Sequence, residues 1–156
     1  MKVSDILSEN VIAVNLKAAD KTESINKMID LANKSGKILN LEKVKECVFE
    51  REKLVSTGVG KAFAIPHGKT DEITDIVGAF SILESPIDFE SIDNEKVKFI
   101  FLLIGKDALL NAHIKLLSRI SRLMNKDGFR EKLLTAKNSE EVLKLFREEE
   151  MGYIDI

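Results

Sequence analysis

Apolar and polar positions along the chain switch between two spacings, and the switches predict its elements. Val11-Ile12-Ala13-Val14-Asn15-Leu16 is a β-rich run and predicts a strand. Asp20, with Glu23 three residues on, has the form of a capping box at the start of a helix. Ile25, Met28, Ile29 and Ala32 then recur at i, i+3, i+4 and i+7, one helix face, and Gly36 is placed to stop it. A second helix is expected after Asn40, with Leu41, Val44 and Val48 on its buried side, reaching the charged run Glu50-Arg51-Glu52-Lys53. Ser56-Thr57-Gly58-Val59-Gly60 reads as a turn. Ala62-Phe63-Ala64-Ile65 reads as a short strand, extended up to Pro66, with His67-Gly68 just beyond its end. Ile76–Leu83 and Val97–Ile104 are two further strands with a turn at Asp93-Asn94 between them. The second is apolar on both faces, as a covered central strand is. Three helices are expected in the last third, near Ala112–Met124, Asp127–Ala136 and Ser139–Phe146, the last with Ser139, Glu140 and Glu141 as acceptors at its positive end. Interleaved strands and helices imply an α/β domain whose sheet is covered on both faces. No repeat, linker or composition break appears, so residues 1–156 are expected to form one domain.

Composition narrows the function classes. Hydrophobic residues make up 44% and charged residues 32%, the balance of a soluble globular chain rather than a disordered one. The net charge of −2 argues against nucleic acid and against a polybasic membrane-surface module. Phe99–Ile104, the longest apolar run, is far short of the ~20 residues a membrane span needs. Met1-Lys2-Val3-Ser4-Asp5 has no signal-peptide character. Cys47 is the only cysteine, which removes an internal disulfide and a cysteine-based zinc site and fits a reducing compartment. These features together predict a cytoplasmic protein.

Several candidate chemistries fail on spacing. Gly68-Lys69-Thr70 imitates the end of a P-loop, but Phe63 stands where the first glycine belongs. There is no nucleophile elbow and no zinc-protease helix, and the two histidines and one cysteine show no metal-ligand spacing. The histidines remain. His67 follows a strand, where ligands of open α/β sheets bind, and a neutral imidazole is a good nucleophile near pH 7; a surface-loop histidine is equally compatible with its position alone. His113 shares a helix face with Leu116 and Leu117, which suits either a hydrogen-bonded core histidine or one that points into the site of His67. Arg51 is either part of a solvated helix end or a guanidinium fork for a phosphate.

The run from Arg51 to Gly68 carries more than these isolated residues. Ala64-Ile65-Pro66-His67-Gly68, preceded by Arg51-Glu52 and Ser56-Thr57-Gly58, resembles the phosphorylation-site motif of enzyme IIA domains of the fructose–mannitol class, part of the bacterial phosphoenolpyruvate-dependent sugar phosphotransferase system. His113-Ile114-Lys115-Leu116-Leu117 is similar to that family's second landmark, a histidine opening a helix. The segments from Pro86 to Ile104 and around Ser139 also resemble it, so the likeness runs from about Val3 to Glu150. Phe63 is bulkier than the aliphatic residue the family pattern has there, a departure that touches packing more than chemistry.

The resemblance implies a single mixed β-sheet flanked by helices on both faces, and a phosphocarrier. His67 would accept a phosphoryl group from the phosphocarrier HPr and pass it to a IIB domain for sugar uptake. His113 would orient the group, and Arg51 would neutralise its oxygens. No metal or cofactor is required when the donor is already a phosphohistidine. The chain carries no fused IIB or membrane segment and is expected to stand alone, docking only transiently with its partners. The alternative within the family is a nitrogen-related regulatory IIA protein that signals through its phosphorylation state and transports no sugar. Outside it, the remaining reading is a small α/β binding domain with structural histidines.

Overall fold

A computed structural model describes residues 1–152. Strand β1 is Ile12–Leu16, helix α1 Lys21–Asn33 and helix α2 Leu41–Leu54. The caps are those the sequence supplies: the Asp20 carboxylate accepts from the Glu23 N–H at 2.8 Å, and the Asn40 side chain accepts from the Lys43 N–H. Gly36 follows α1 at φ +75°, a left-handed turn that glycine adopts without strain. The C-terminal helices are α3 (Leu110–Met124), α4 (Asp127–Thr135) and α5 (Ser139–Glu150). The cap of α5 is Asn138 rather than Ser139; the Ser139 hydroxyl instead donates to the Ile12 carbonyl at 2.7 Å and ties α5 to β1.

The remaining strands are β2 (Gly58–Gly60), β3 (Phe63–Ala64), β4 (His67–Lys69), β5 (Val77–Ile87) and β6 (Val97–Gly105). They form one mixed sheet with β1, in the order β1-β5-β6-β3-β2, with β4 also on β6. β5 and β6 are antiparallel, whereas β1 runs parallel to β5, and β3 and β4 run parallel to β6. Three expectations change here. The expected turn at Ser56–Gly60 ends in β2, which pairs antiparallel with β3. β5 extends through Pro86 to Ile87, and its pairing with β6 shifts register between Ile82 and Ile87, the kind of irregularity that tolerates a proline. His67 lies within a strand, not beyond one. Phe63 faces Phe99 and His67 faces Leu103, so β3 and β4 keep one register on β6 and form a single line of chain interrupted at Ile65-Pro66. The interruption is partly filled by the Leu103 N–H, which donates to the Pro66 carbonyl at 3.1 Å.

The alternation of β5 and β6 sorts the core into two layers. On one face Phe80 and Phe101 meet Phe146 of α5, Phe99 stacks on Phe80, and Phe129 of α4 packs edge-on to Phe146 with ring centroids 5.1 Å apart. Each such ring pair adds ~0.5–1.5 kcal/mol beyond its area burial. On the other face α2 lies against β4, where Gly68 abuts Cys47, and α1 packs beside α2 over β5 and β6. Phe63 is buried and in register with Phe99, so its bulk is taken up by the core. The end of α5 is tied to the start of the described chain: the buried Glu150 carboxylate accepts from the Val3 and Ser4 N–H groups at 2.6 and 2.8 Å. Among the described residues no helix is long and apolar enough to cross a membrane.

Candidate functional site

β4 delivers His67 to the end of the sheet where the parallel strands β4 and β6 both finish, next to the start of α3. Its ring is fixed locally. Nδ1 lies 2.8 Å from the carbonyl oxygen of Ile65. A carbonyl only accepts, so Nδ1 carries the hydrogen and Nε2 keeps its lone pair. Burial pushes the imidazole below its ordinary pKa, and the Arg51 guanidinium adds to that; the Ile65 bond and the Glu52 carboxylate oppose it. The ring at neutral pH is therefore neutral, with its nucleophilic nitrogen defined.

His113 enters from the first turn of α3 and is 3% exposed. Its ring centroid is 6.0 Å from that of His67, at an interplanar angle of 51°. The 46 residues that separate the two histidines in sequence are thus closed by the fold. His113 Nδ1 is buried without a hydrogen-bond partner and faces Gly105. A lone pair is tolerated against a Cα–H group and an N–H is not, which puts the His113 proton on Nε2. Burial, then the neighbouring His67 and Lys69, push its pKa down to about 4. His113 is a neutral hydrogen-bond donor near pH 7. Gly105 is what makes room for it, since a Cβ there would come within 2.3 Å of Nδ1. Sequence reasoning passed over Gly105; its signal was a glycine closing the apolar run just before the helix that carries His113.

Arg51 lies in the last turn of α2, and its guanidinium donates to the Val55 carbonyl at 2.9 Å across the helix end. That bond occupies one of its five donors and leaves the fork otherwise available. Lys69, two residues after His67, lies on the same sheet face, opposite Gly105. Gly68 between them turns to the other face, where a Cβ would lie 2.7 Å from Cys47 Sγ. The Cys47 thiol donates to the Lys69 carbonyl at 3.0 Å, and burial raises its pKa, so it braces β4 and is a poor nucleophile.

All three predicted site residues, Arg51, His67 and His113, line one open cleft of about 910 Å³ together with Lys69. The same cleft is bordered by apolar side chains that solvent reaches: Leu54 is 77%, Ile114 54% and Leu110 42% exposed. A nucleophilic imidazole, a neutral donor and a cation in an open cleft with an apolar border can take a phosphoryl group from another macromolecule. Among the described residues no group of three or more His, Cys, Asp or Glu is placed to hold a metal ion.

Residues 5–149 match the family described as "Phosphoenolpyruvate-dependent sugar phosphotransferase system, EIIA 2". A nitrogen regulatory protein of Bradyrhizobium diazoefficiens is 34% identical over 144 residues, which is 91% of this chain and 92% of that one. The fructose-specific EIIABC component of the phosphotransferase system of Bacillus subtilis is 29% identical over 148 residues, 95% of this chain. The chain spans only 23% of that larger relative's length. Among solved structures, nitrogen regulatory protein IIA-Ntr of Neisseria meningitidis superposes with a TM-score of 0.86 at 30% identity, covering 92% of this chain and 98% of its own.

Proposed function

The chain belongs to the EIIA type-2 family of the phosphoenolpyruvate-dependent sugar phosphotransferase system, and from that premise we propose that it is a cytoplasmic phosphocarrier that takes a phosphoryl group from phospho-HPr on His67 and passes it to a IIB domain for sugar uptake. The observation that supports this most is the bond from His67 Nδ1–H to the Ile65 carbonyl, which leaves Nε2 as the nucleophile in a cleft shared with His113 and Arg51. In the step, the Nε2 lone pair forms the new N–P bond while the P–N bond to the donor histidine breaks, and the bonding pair returns to the donor imidazole. The His67 ring keeps its Nδ1 proton, so the phosphorylated ring is cationic and the Ile65 carbonyl stabilises it. His113 donates its Nε2–H to a phosphoryl oxygen, and the free edge of the Arg51 fork neutralises the others. The exposed Leu54, Leu110 and Ile114 supply apolar contact area for two successive, short-lived partners.

A second reading within the family is carried by the nitrogen regulatory relatives, where the same site would report phosphorylation state rather than feed a transporter. A chase separates the two. The phosphorylated chain is mixed with a fructose-type IIB domain and phosphate on each protein is followed by intact mass. Rapid loss to IIB, slowed by about tenfold in Arg51→Lys because the bidentate fork is gone, supports the carrier. Retention of the phosphate on the chain favours the regulator, and transfer unchanged in Arg51→Lys returns that residue to the solvated helix end.

A further inference from the structure

Between α1 and the site lies a buried polar chain that the phosphoryl chemistry above does not use. Glu52 and Thr57 are 7% and 2% exposed. Buried carboxylates persist where they are paired and fully hydrogen-bonded. Glu52 meets both conditions. Lys21 Nζ, at the first turn of α1, lies 3.0 Å from Glu52 Oε2 and 5.0 Å above the centre of the Phe89 ring. The Thr57 N–H donates to Glu52 Oε2 at 2.7 Å and the Thr57 hydroxyl donates to Oε1 at 2.5 Å. Thr57 is thereby held at two points by charge-assisted bonds. Its own carbonyl accepts from the Ile65 N–H at 3.0 Å. The carbonyl of that same Ile65 accepts from His67 Nδ1–H at 2.8 Å. Pro66 follows immediately and restricts Ile65 to extended geometry, so the orientation of the Ile65 peptide passes to the carbonyl with little play.

Resting on the phosphocarrier reading of His67, we propose that the buried Glu52 carboxylate, paired with the half-buried Lys21, positions the His67 imidazole through Thr57 and the Ile65 carbonyl. Glu52, Thr57 and Lys21 are positioning residues: none lines the cleft, and each acts through the next. The chain accounts for why the Arg51-Glu52 pair and the Ser56-Thr57-Gly58 segment accompany the histidine at a distance. Arg51 reaches the cleft, whereas Glu52, one residue on, turns inward to hold the segment that holds Ile65. Ser56 anchors the other flank by donating to the Phe89 carbonyl at 2.7 Å.

The test reads the tautomer directly. In uniformly ¹⁵N-labelled, unphosphorylated protein, the His67 ring nitrogens should show a protonated Nδ1 and an unprotonated Nε2. Thr57→Val keeps the shape and removes the hydroxyl donor, leaving a Glu52 oxygen unpaired. It should mix the two His67 tautomers and slow phosphorylation by about three- to tenfold, while the His113 nitrogens stay unchanged. Thr57→Ser, which keeps the hydroxyl, should restore both. Should Thr57→Val not fold, Lys21→Gln removes the far end of the chain and should produce the same mixing to a smaller degree. A His67 tautomer unaltered in the folded variants overturns the proposal. Because the spectra need no phosphoryl donor, a wild type that accepts no phosphate beside a Thr57→Val variant that mixes the tautomers would sink the carrier reading and leave the positioning chain standing.

Discussion

An imidazole that attacks phosphorus near neutral pH must be neutral, and only one of its nitrogens may carry the lone pair. At His67 the first condition comes from burial and the second from one backbone carbonyl. In the proposed step His113 would meet the complementary need of a donor that adds no competing positive charge. Its depressed pKa has a consequence for stability. In the unfolded chain His113 titrates near 6.5, and in the native one near 4. Between those values the unfolded state binds a proton that the native state does not. The stability that His113 contributes is thus fully present above pH 6.5, falls as the pH drops toward 4, and is lost no further below that. Wild-type denaturation midpoints measured across the window should fall more steeply than those of His113→Gln, and the His113 ring resonances should titrate near 4. Equal slopes, or titration near 6.5, would show that the ring is not buried as described. Both histidines were legible in the sequence because their motifs are local. The tautomer was not, since it depends on where a carbonyl points two residues away.

The elements matter through their ends. β4 stops beside the start of α3, and that abutment is what brings two distant histidines to a 6.0 Å ring separation. Gly105 ends β6 at this contact. Gly105→Ala should cost about 1–3 kcal/mol, because the new methyl meets the His113 ring and α3 must shift. Phosphoryl transfer should fall with the displaced His113, whereas Gly128→Ala, where an added Cβ meets nothing, should leave transfer at the wild-type rate. Thermal melts and transfer rates of the two variants check this; a Gly105→Ala protein with wild-type transfer would separate His113 from the chemistry. Helix periodicity and capping residues gave α1 to α5 to within a few residues. The strands were less legible. A proline ends a strand by removing a donor, so the sequence implied that chain pairing stopped at Pro66, yet β4 resumes the same register on β6 one residue later. Register is set by the partner strand, and nothing local in Pro66-His67-Gly68 encodes it.

For the molecule as a whole, two helical layers on one mixed sheet leave the site at an edge where both layers contribute, Arg51 from α2 on one face and His113 from α3 on the other. The strand crossed between them supplies His67, so the cleft opens outward and, in the proposed function, a protein partner would approach His67 over the exposed Leu54, Leu110 and Ile114. The sheet coverage was foreseeable from the two-sided apolar pattern of Val97–Ile104. The meeting of three residues at one rim was implied only by the family resemblance; no local pattern encodes it, because it follows from strand order, and strand order is a property of the assembled sheet. We propose that this rim makes His67 a phosphoryl acceptor. The most direct test is the intact mass of the chain after incubation with phosphoenolpyruvate, enzyme I and HPr, beside His67→Ala. A single acid-labile phosphoryl group is expected on the wild type and none on the variant. An unmodified wild type, or a variant that still takes up phosphate, would contradict it.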